Sequence, residues 1–192
     1  MKRAELEQFR GKTVDDLVGT GLKLLLVGIN PGLWTAAVNA HFARPGNRFW
    51  PALWQAGIVD RAIDGSRGLA PEDSAHLIKR GIGITNIVNV ATARADELTA
   101  AEFRQGGERL RQLVQEYRPP VVAVLGLTAY RQAFARPKAV LGLQAESFEG
   151  SQLWLAPNPS GLNAHETVAT LATRYGEIAE AAGIKLFAPP VV

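Results

Sequence analysis

The stretch LKLLLVGINPG, residues 22–32, decides the fold of this chain. Its first six residues form a short apolar run, interrupted only by Lys23, and glycine, asparagine and proline follow at once. Short apolar runs bounded by turn residues are typical of buried strands, and this one is too short to cross a bilayer. The stretch therefore predicts a buried strand that ends in a tight turn.

Further apolar runs and helical patterns extend this unit along the chain. Strands are predicted at 82–90, 121–126 and 152–156, and helices at 47–57, 99–117, 128–134 and 166–182. A short helix and a connector precede the first strand, and residues 60–72 predict a surface loop. Strands that alternate with helices form parallel sheets covered on both faces. The predicted fold is α/β, a three-layer α/β/α domain with a central four-stranded parallel sheet.

The helix at 99–117 carries two local signals. Thr99 and Glu102 have the spacing of a capping box, which places the start of the helix at Thr99. Gly106 and Gly107 lie inside the helix, where each glycine costs about 1 kcal/mol relative to alanine. We expect this pair to allow close packing against another backbone.

Composition limits the chemistry of the chain. Its 192 residues predict one domain, 1–192, whose core spans about 16–183. The chain has no cysteine, which excludes disulfides, thiolate metal sites and a cysteine nucleophile, and its three histidines lack metal-ligand spacing. We therefore expect no metal and no cofactor. The net charge of +3 is compatible with a polyanionic partner, and the polar start at Met1–Glu5 predicts a cytoplasmic location.

Two of the predicted strands end in similar turns. Asn30-Pro31-Gly32 follows the first strand, and Asn158-Pro159-Ser160-Gly161 follows the last. Ligand sites in parallel sheets lie beyond the carboxyl ends of the strands, so both turns should open onto one edge. Such turns offer backbone N–H groups to an anion or to the edge of a heterocycle. Each turn alone is equally compatible with an ordinary loop connection.

Taken together and in order, these turns resemble those of the mismatch-specific uracil-DNA and thymine-DNA glycosylase family. The resemblance rests on Gly28–Leu33, Asn47–Trp50 and Asn158–Leu162, and it extends from about Asp16 to Gly183. It implies a monofunctional enzyme of base excision repair that hydrolyses the N-glycosidic bond of a flipped uracil, or of another mismatched or damaged pyrimidine. The implied partner is double-stranded DNA, and we expect a monomer without a membrane segment.

The resemblance also implies roles for individual residues. Asn30 would position the attacking water, and Phe42 would stack on the flipped base. The residues implied to bind the substrate are Gly28, Ile29, Thr35, Phe42 and Asn158. The segment implied to enter the base stack consists of Ser160, Gly161, Leu162 and Asn163. From the residues alone, Phe42 is equally a core phenylalanine and Leu162 an exposed loop leucine.

An asparagine leaves the site without a general base, because its amide does not take up a proton near neutral pH. Asp96 follows the second predicted strand and therefore lies at the same edge, so it is the candidate to activate water. The alternative is that Asp96 is a solvated loop acid near a helix start.

Two departures from the family pattern leave the substrate range open. Trp34-Thr35 stands where small hydroxyl residues are usual, so the indole either narrows the pocket, stacks on DNA or packs against a loop. Asn163-Ala164-His165 stands where some relatives have an arginine, so the preference for the opposing base is open as well.

Three other functions remain compatible with parts of the sequence. A catalytically weak or inactive DNA-binding domain would share the charge and the turns. A nucleotide-binding protein is disfavoured because Gly28 and Gly32 lack the spacing of a dinucleotide motif and no phosphate-loop lysine follows. A serine hydrolase built on Ser160 and His165 lacks the nucleophile elbow.

Overall fold

The structure is a computed structural model that describes residues 1–188 and 190. Within these residues, one sheet of five strands runs through the molecule in the order β2-β1-β3-β5-β4. The strands are β1 (Leu24–Gly28), β2 (Ile82–Asn86), β3 (Val121–Leu125), β4 (Gly142–Leu143) and β5 (Gln152–Ala156). The first, second, third and fifth are parallel neighbours, as the sequence predicts.

The predicted count of four strands was wrong by one. The additional strand, β4, pairs antiparallel with β5 at the edge of the sheet and contains only two residues. Two residues are too few to show a strand periodicity, and Leu143 is exposed, so no apolar pattern marks this strand in the sequence.

Helices cover both faces of the sheet. They are α1 (Arg3–Leu6), α2 (Leu33–Val38), α3 (Phe49–Gln55), α4 (Pro71–Lys79), α5 (Ala100–Tyr117), α6 (Leu127–Ala133) and α7 (Val168–Ala181). Leu24 and Leu26 pack in one core with residues of α3, α4 and α7, whereas Leu25 and Val27 pack in a second core with residues of α5 and α6. Successive residues of a strand point to opposite faces, so this division confirms the three predicted layers.

Two of these helices, α2 and α4, were not predicted. α4 begins at Pro71, inside the segment predicted to be a loop, and Leu77 is its one buried residue. A helix with so little buried surface has a weak apolar periodicity, although Pro71 with Glu72 and Asp73 in the first turn is a recognisable start signal. α2 is only six residues long and follows the turn after β1 directly.

The local signals of α5 are confirmed. The hydroxyl of Thr99 accepts the N–H of Glu102, and the Glu102 carboxylate accepts the N–H of Thr99. A Cβ at Gly106 would lie 2.4 Å from the carbonyl oxygen of Ile87, so only glycine permits this approach of helix and backbone. The contact holds α5 against the segment that follows β2, at the edge where the strands end.

The segment after β2 also extends the sheet edge without being a strand. Residues 87–90 were predicted as part of the strand, but β2 ends at Asn86. The N–H groups of Ile87 and Val88 donate to the carbonyl oxygens of Gly28 and Ile29, at 2.9 and 3.0 Å. The two segments therefore leave the sheet side by side, which brings residues after β2 next to the turn after β1.

No helix in the described part of the chain is long and apolar enough to span a membrane.

Candidate active site

A cavity of about 550 Å³ opens at the carboxyl edge of the sheet. It lies between residues 28–32, here called the first turn, and residues 158–163, here called the second turn. Because β1, β3 and β5 are parallel, these two turns leave the sheet at the same edge, as predicted. Nine of the eleven residues that the sequence assigned to a site line this cavity: Ile29, Asn30, Thr35, Phe42, Asp96, Asn158, Ser160, Leu162 and Asn163.

The other two predicted residues are glycines at close approaches. A Cβ at Gly28 would lie 2.4 Å from Oδ1 of Asn86 and 3.0 Å from Cζ of Phe42. A Cβ at Gly161 would lie 2.5 Å from the carbonyl oxygen of Gly46. The first glycine lets two side chains meet over the end of β1, and the second lets the second turn dock against a neighbouring loop.

The amide of Asn30 has a fixed orientation. Its Nδ2 donates to the hydroxyl of Thr92 at 2.8 Å and lies 3.0 and 3.1 Å from the carbonyl oxygens of Val90 and Pro31. All three partners are acceptors, so the nitrogen must face them and Oδ1 must point the other way. Asn30 lines the cavity, and its Oδ1 makes no hydrogen bond to any described residue. The side chain therefore offers a lone acceptor, held in place, to a molecule inside.

Phe42 lies in the cavity with a strained backbone. Its φ is 55°, in the left-handed region that residues other than glycine rarely adopt. One face of its ring stacks on Phe49, with 3.9 Å between centroids and 20° between planes. Phe49 is buried in the core beneath, which makes Phe42 part of a rigid aromatic stack at the cavity wall. Strain of this kind is characteristic of functional sites.

Asn86 also lines the cavity, although the sequence pattern did not assign it to a site. It is the last residue of β2 and only 4% exposed. Nδ2 of Asn86 lies 3.3 Å from Nδ1 of His41, and Nε2 of that imidazole lies 3.0 Å from the carbonyl oxygen of Asp15. Because a carbonyl only accepts, Nε2 carries the proton, which leaves Nδ1 to accept from Asn86. This arrangement orients the buried amide.

Burial controls the charge of His41. Loss of hydration lowers the pKa of this imidazole from its ordinary value of 6.5, and the hydrogen bond to the Asp15 carbonyl opposes that effect only in part. His41 is therefore neutral at neutral pH, which is the form that can accept the N–H of Asn86.

Thr92, Arg44 and Asn47 also line the cavity and were not assigned to it from the sequence. The hydroxyl of Thr92 accepts from Asn30 and donates to the carbonyl of Arg94 at 2.8 Å, so it links the first turn to the segment after β2. Asn47 accepts the N–H of Phe49 at the start of α3. Exposed Arg44 adds positive charge to the rim.

Asp96 lies at the rim of the cavity and is exposed. Its carboxylate forms an ion pair with Arg94, in which Nε donates to Oδ1 at 2.9 Å and Nη2 donates to Oδ2. The hydrogen bonds from Arg94 lower the pKa of the Asp96 carboxyl, so the group is ionised at neutral pH but has a weakened affinity for a proton.

The second turn presents one apolar side chain to solvent. Leu162 is 77% exposed, and the residues around it bond to one another. The N–H of Ser160 donates to Oδ1 of Asn158, the N–H of Leu162 donates to Oγ of Ser160, and Asn163 Nδ2 donates to the carbonyl of Asn158. The hydroxyl of Ser160 thus serves the turn as an acceptor, and exposed His165 makes its hydrogen bond to Asn163 through its backbone N–H.

Trp34 contacts a neighbouring loop. Its indole Nε1 donates to the carbonyl of Ser66 at 2.9 Å, and it is not among the described residues that line the cavity. Of the three interpretations offered by the sequence, the structure supports packing against a loop. Among the described residues, no group of three or more histidine, aspartate or glutamate side chains is placed to hold a metal ion.

The chain is similar to known proteins in sequence and in fold. A family model described as the uracil DNA glycosylase superfamily matches residues 16–178. The chain is also similar to the solution NMR structure of a candidate uracil DNA glycosylase from Methanosarcina acetivorans, with 14% sequence identity and a TM-score of 0.54. That similarity covers 87% of this chain and 98% of the other, and at such low identity it shows the fold alone.

Proposed function

We propose that this chain, which belongs to the uracil DNA glycosylase superfamily, hydrolyses the N-glycosidic bond of a uracil rotated out of double-stranded DNA and leaves an abasic site. The observation that carries the proposal is the amide of Asn30. Three acceptors fix its nitrogen, so its oxygen faces the cavity as a single oriented acceptor. A water bound to that oxygen would be held for attack on the sugar carbon.

The chemistry of the reaction suits an amide at this position. Cleavage of a glycosidic bond develops positive charge on the sugar, in an oxocarbenium-like transition state. Such a centre is electrophilic enough to take a poorly activated nucleophile, so orientation of the water matters more than removal of its proton. Holding a reactant in the correct orientation accelerates a reaction, and the amide of Asn30 would do this without ionising.

Recognition of the base would fall to Phe42 and Asn86. The ring of Phe42, backed by Phe49, offers a rigid wall for a flat pyrimidine. Asn86 offers an amide oxygen close above Gly28, and uracil carries a donor at N3 where cytosine carries an acceptor. A fixed amide oxygen would therefore accept uracil and repel cytosine. Departing uracil carries negative charge, which backbone N–H groups of the first turn would stabilise.

Asp96 is our candidate for polarising the water. Its position at the rim and its ionised state favour that role, whereas its ion pair with Arg94 weakens it as a base.

We further propose that the chain belongs to the mismatch-specific branch of the superfamily. The motifs that carry this are GINPG at 28–32 and NPSGL at 158–162. In this proposal the second turn enters the base stack and Leu162 fills the space of the extruded base. Excision from duplexes with uracil opposite guanine, compared with uracil opposite adenine and thymine opposite guanine, tests the branch.

One assay tests the activity. Duplexes with a single uracil are incubated with the protein, and free base and abasic sites are measured. The expected result is release of uracil by the wild-type protein and loss of release in Asn30→Ala with DNA binding retained. Tight binding without release by the wild type would instead support an inactive DNA-binding domain of the same fold, and full activity of Asn30→Ala would contradict the role of this residue.

A further inference from the structure

The second turn is joined by hydrogen bonds to the body of the protein through one residue, Arg48, as far as the described residues show. In the part of the chain that the structure describes, every hydrogen bond from residues 158–163 to a residue outside 158–165 is made by Arg48. Nη1 donates to the carbonyl oxygens of Ser160 and Asn163 at 3.2 and 2.8 Å, and Nη2 donates to that of Gly161 at 3.3 Å. The backbone N–H of Arg48 donates to Pro159 at 2.9 Å.

We propose that Arg48 is a positioning residue that holds the second turn rigid, so that Leu162 can enter the DNA stack while the target base is extruded. This inference rests on the proposed function, because it assumes that the turn acts on duplex DNA. The guanidinium binds the three carbonyls that flank Leu162 in sequence, and that side chain is left 77% exposed. We call this contact, between the guanidinium of Arg48 and the carbonyl oxygens of Ser160, Gly161 and Asn163, the clamp.

The second turn must stay rigid because insertion of Leu162 into DNA is opposed by base stacking. Separating stacked bases costs free energy, so the DNA opposes the insertion of a side chain between them. A turn held only by its own internal hydrogen bonds would be displaced from this position when its side chain meets the stacked bases. Arginine suits the task because its planar group carries several donors in a fixed geometry, which lysine does not.

Gly161 gives a second, independent observation of the same docking. A Cβ there would lie 2.5 Å from the carbonyl of Gly46, two residues before Arg48. The second turn thus rests directly on the loop that carries the clamp. Gly161→Ala should push the turn off this loop without removing any charge, and Arg48→Ala should release it without adding any bulk.

The alternative for Arg48 is a plain phosphate contact, and Arg44 provides the matched comparison. Arg44 lines the same cavity, is exposed, and its side chain makes no hydrogen bond to a described residue. Loss of a phosphate contact weakens binding to all DNA and reduces the dependence of affinity on salt. Loss of the clamp should leave binding to undamaged DNA almost unchanged and reduce extrusion of the target base.

The test measures extrusion apart from bond cleavage. A duplex carries a non-cleavable 2′-fluorinated uridine beside the fluorescent base 2-aminopurine, whose emission rises when its neighbour leaves the stack. At saturating protein, we expect Arg48→Ala, Gly161→Ala and Leu162→Ala each to lower extrusion about tenfold, with Arg48→Lys between them and wild type. Because Arg48 acts through Leu162, the double variant Arg48→Ala/Leu162→Ala should be no worse than Leu162→Ala alone.

The outcomes separate the inference from the proposed function. Wild-type extrusion in both Arg48→Ala and Gly161→Ala would overturn the clamp, even if the protein excises uracil normally. A salt-dependent loss of affinity in Arg48→Ala equal to that of Arg44→Ala, with normal extrusion, would identify a phosphate contact and overturn the clamp as well. Extrusion without excision by the wild type would refute the glycosylase activity and leave the clamp supported. Thermal unfolding of each variant identifies any loss of fold. If Arg48→Ala does not fold, reduced extrusion by Arg48→Lys supports the clamp and wild-type extrusion by Arg48→Lys overturns it.

Discussion

The two turns that end β1 and β5 share an Asn-Pro sequence and one sheet edge, but they are built in opposite ways. The first turn is inside the cavity, where Asn30 is held by acceptors from Pro31 and from the segment after β2. The second turn projects into solvent and is held from outside by Arg48. In the first, hydrogen bonds fix one side chain, whereas in the second they fix a backbone so that one side chain can stand free.

This contrast shows how similar turn chemistry can serve two purposes. Proline and asparagine restrict the backbone in both turns, and what differs is which atoms remain without a partner among the described residues. In the first turn it is a polar oxygen, which suits catalysis. In the second it is an apolar side chain, which suits insertion into DNA. The contrast predicts that variants of the first turn impair bond cleavage and variants of the second impair access to the base.

The largest effect is expected at Asn30. Asn30→Ala removes the oriented oxygen and should lower the single-turnover rate of uracil excision by about 10²–10³-fold, the usual effect of removing one preorganised polar group. Affinity for uracil-containing DNA should change little, because Asn30 is proposed to hold the attacking water rather than the DNA. Excision is measured by quench-flow and affinity by fluorescence anisotropy. An excision rate within twofold of wild type would contradict the assignment of the first turn to catalysis.

A smaller effect is expected at Leu162. Leu162→Ala shortens the projecting side chain and should lower excision from duplex DNA by about tenfold, because the gap left by the base is no longer filled. Val140→Ala is the matched control, since Val140 is also a highly exposed aliphatic residue, at 63%, but lies outside the cavity. Equal excision by the two variants would remove the second turn from the reaction.

Asp96 is expected to contribute less than a fully effective general base. Asp96→Asn should lower excision by about tenfold, less than the usual effect of about 10²–10⁴-fold for a group that takes up a proton, because Arg94 weakens its proton affinity. Since the pKa of Asp96 is lowered, its contribution should persist as the pH falls below the ordinary carboxyl value of 3.8 and be lost only through that lower pKa. Comparison of the pH profiles of wild type and variant checks this.

Unchanged excision by Asp96→Asn across the whole pH range would remove this residue from the mechanism. Asp96 would then be a solvated loop acid, paired with Arg94 at the cavity rim, and water would be oriented by Asn30 alone.

Much of the fold and part of the site were predictable from local sequence. Apolar runs located the four parallel strands because buried strands need such runs, and the capping box located the start of α5. Asn30 and Asn158 were predictable because turns at the ends of parallel strands share an edge. Asn86 was missed for a definite reason: the apolar run continues to Val90, so the residue was placed inside a strand rather than at its end.

Arg48 and His41 could not be predicted, because their partners are distant in sequence. The guanidinium of Arg48 bonds carbonyls more than 110 residues further along, and carbonyls are present in every residue, so no side-chain pattern marks them. His41 joins the carbonyl of Asp15 to the side chain of Asn86, which lies 45 residues away. Such contacts follow from the tertiary fold and have no local signal.

The smallest effect concerns pH and the region behind the first turn. Because burial lowers the pKa of His41 in the folded protein below its ordinary value of 6.5, the unfolded chain binds the proton more readily. The contribution of neutral His41 to the free energy of unfolding is therefore complete above about pH 6.5 and is lost as the pH falls below it. His41→Asn, which keeps an acceptor but does not titrate, should reduce this loss, as measured by urea unfolding between pH 5 and pH 8. A wild-type pH dependence in His41→Asn would contradict this account, because it would mean that burial of His41 behind the first turn does not govern the response to pH.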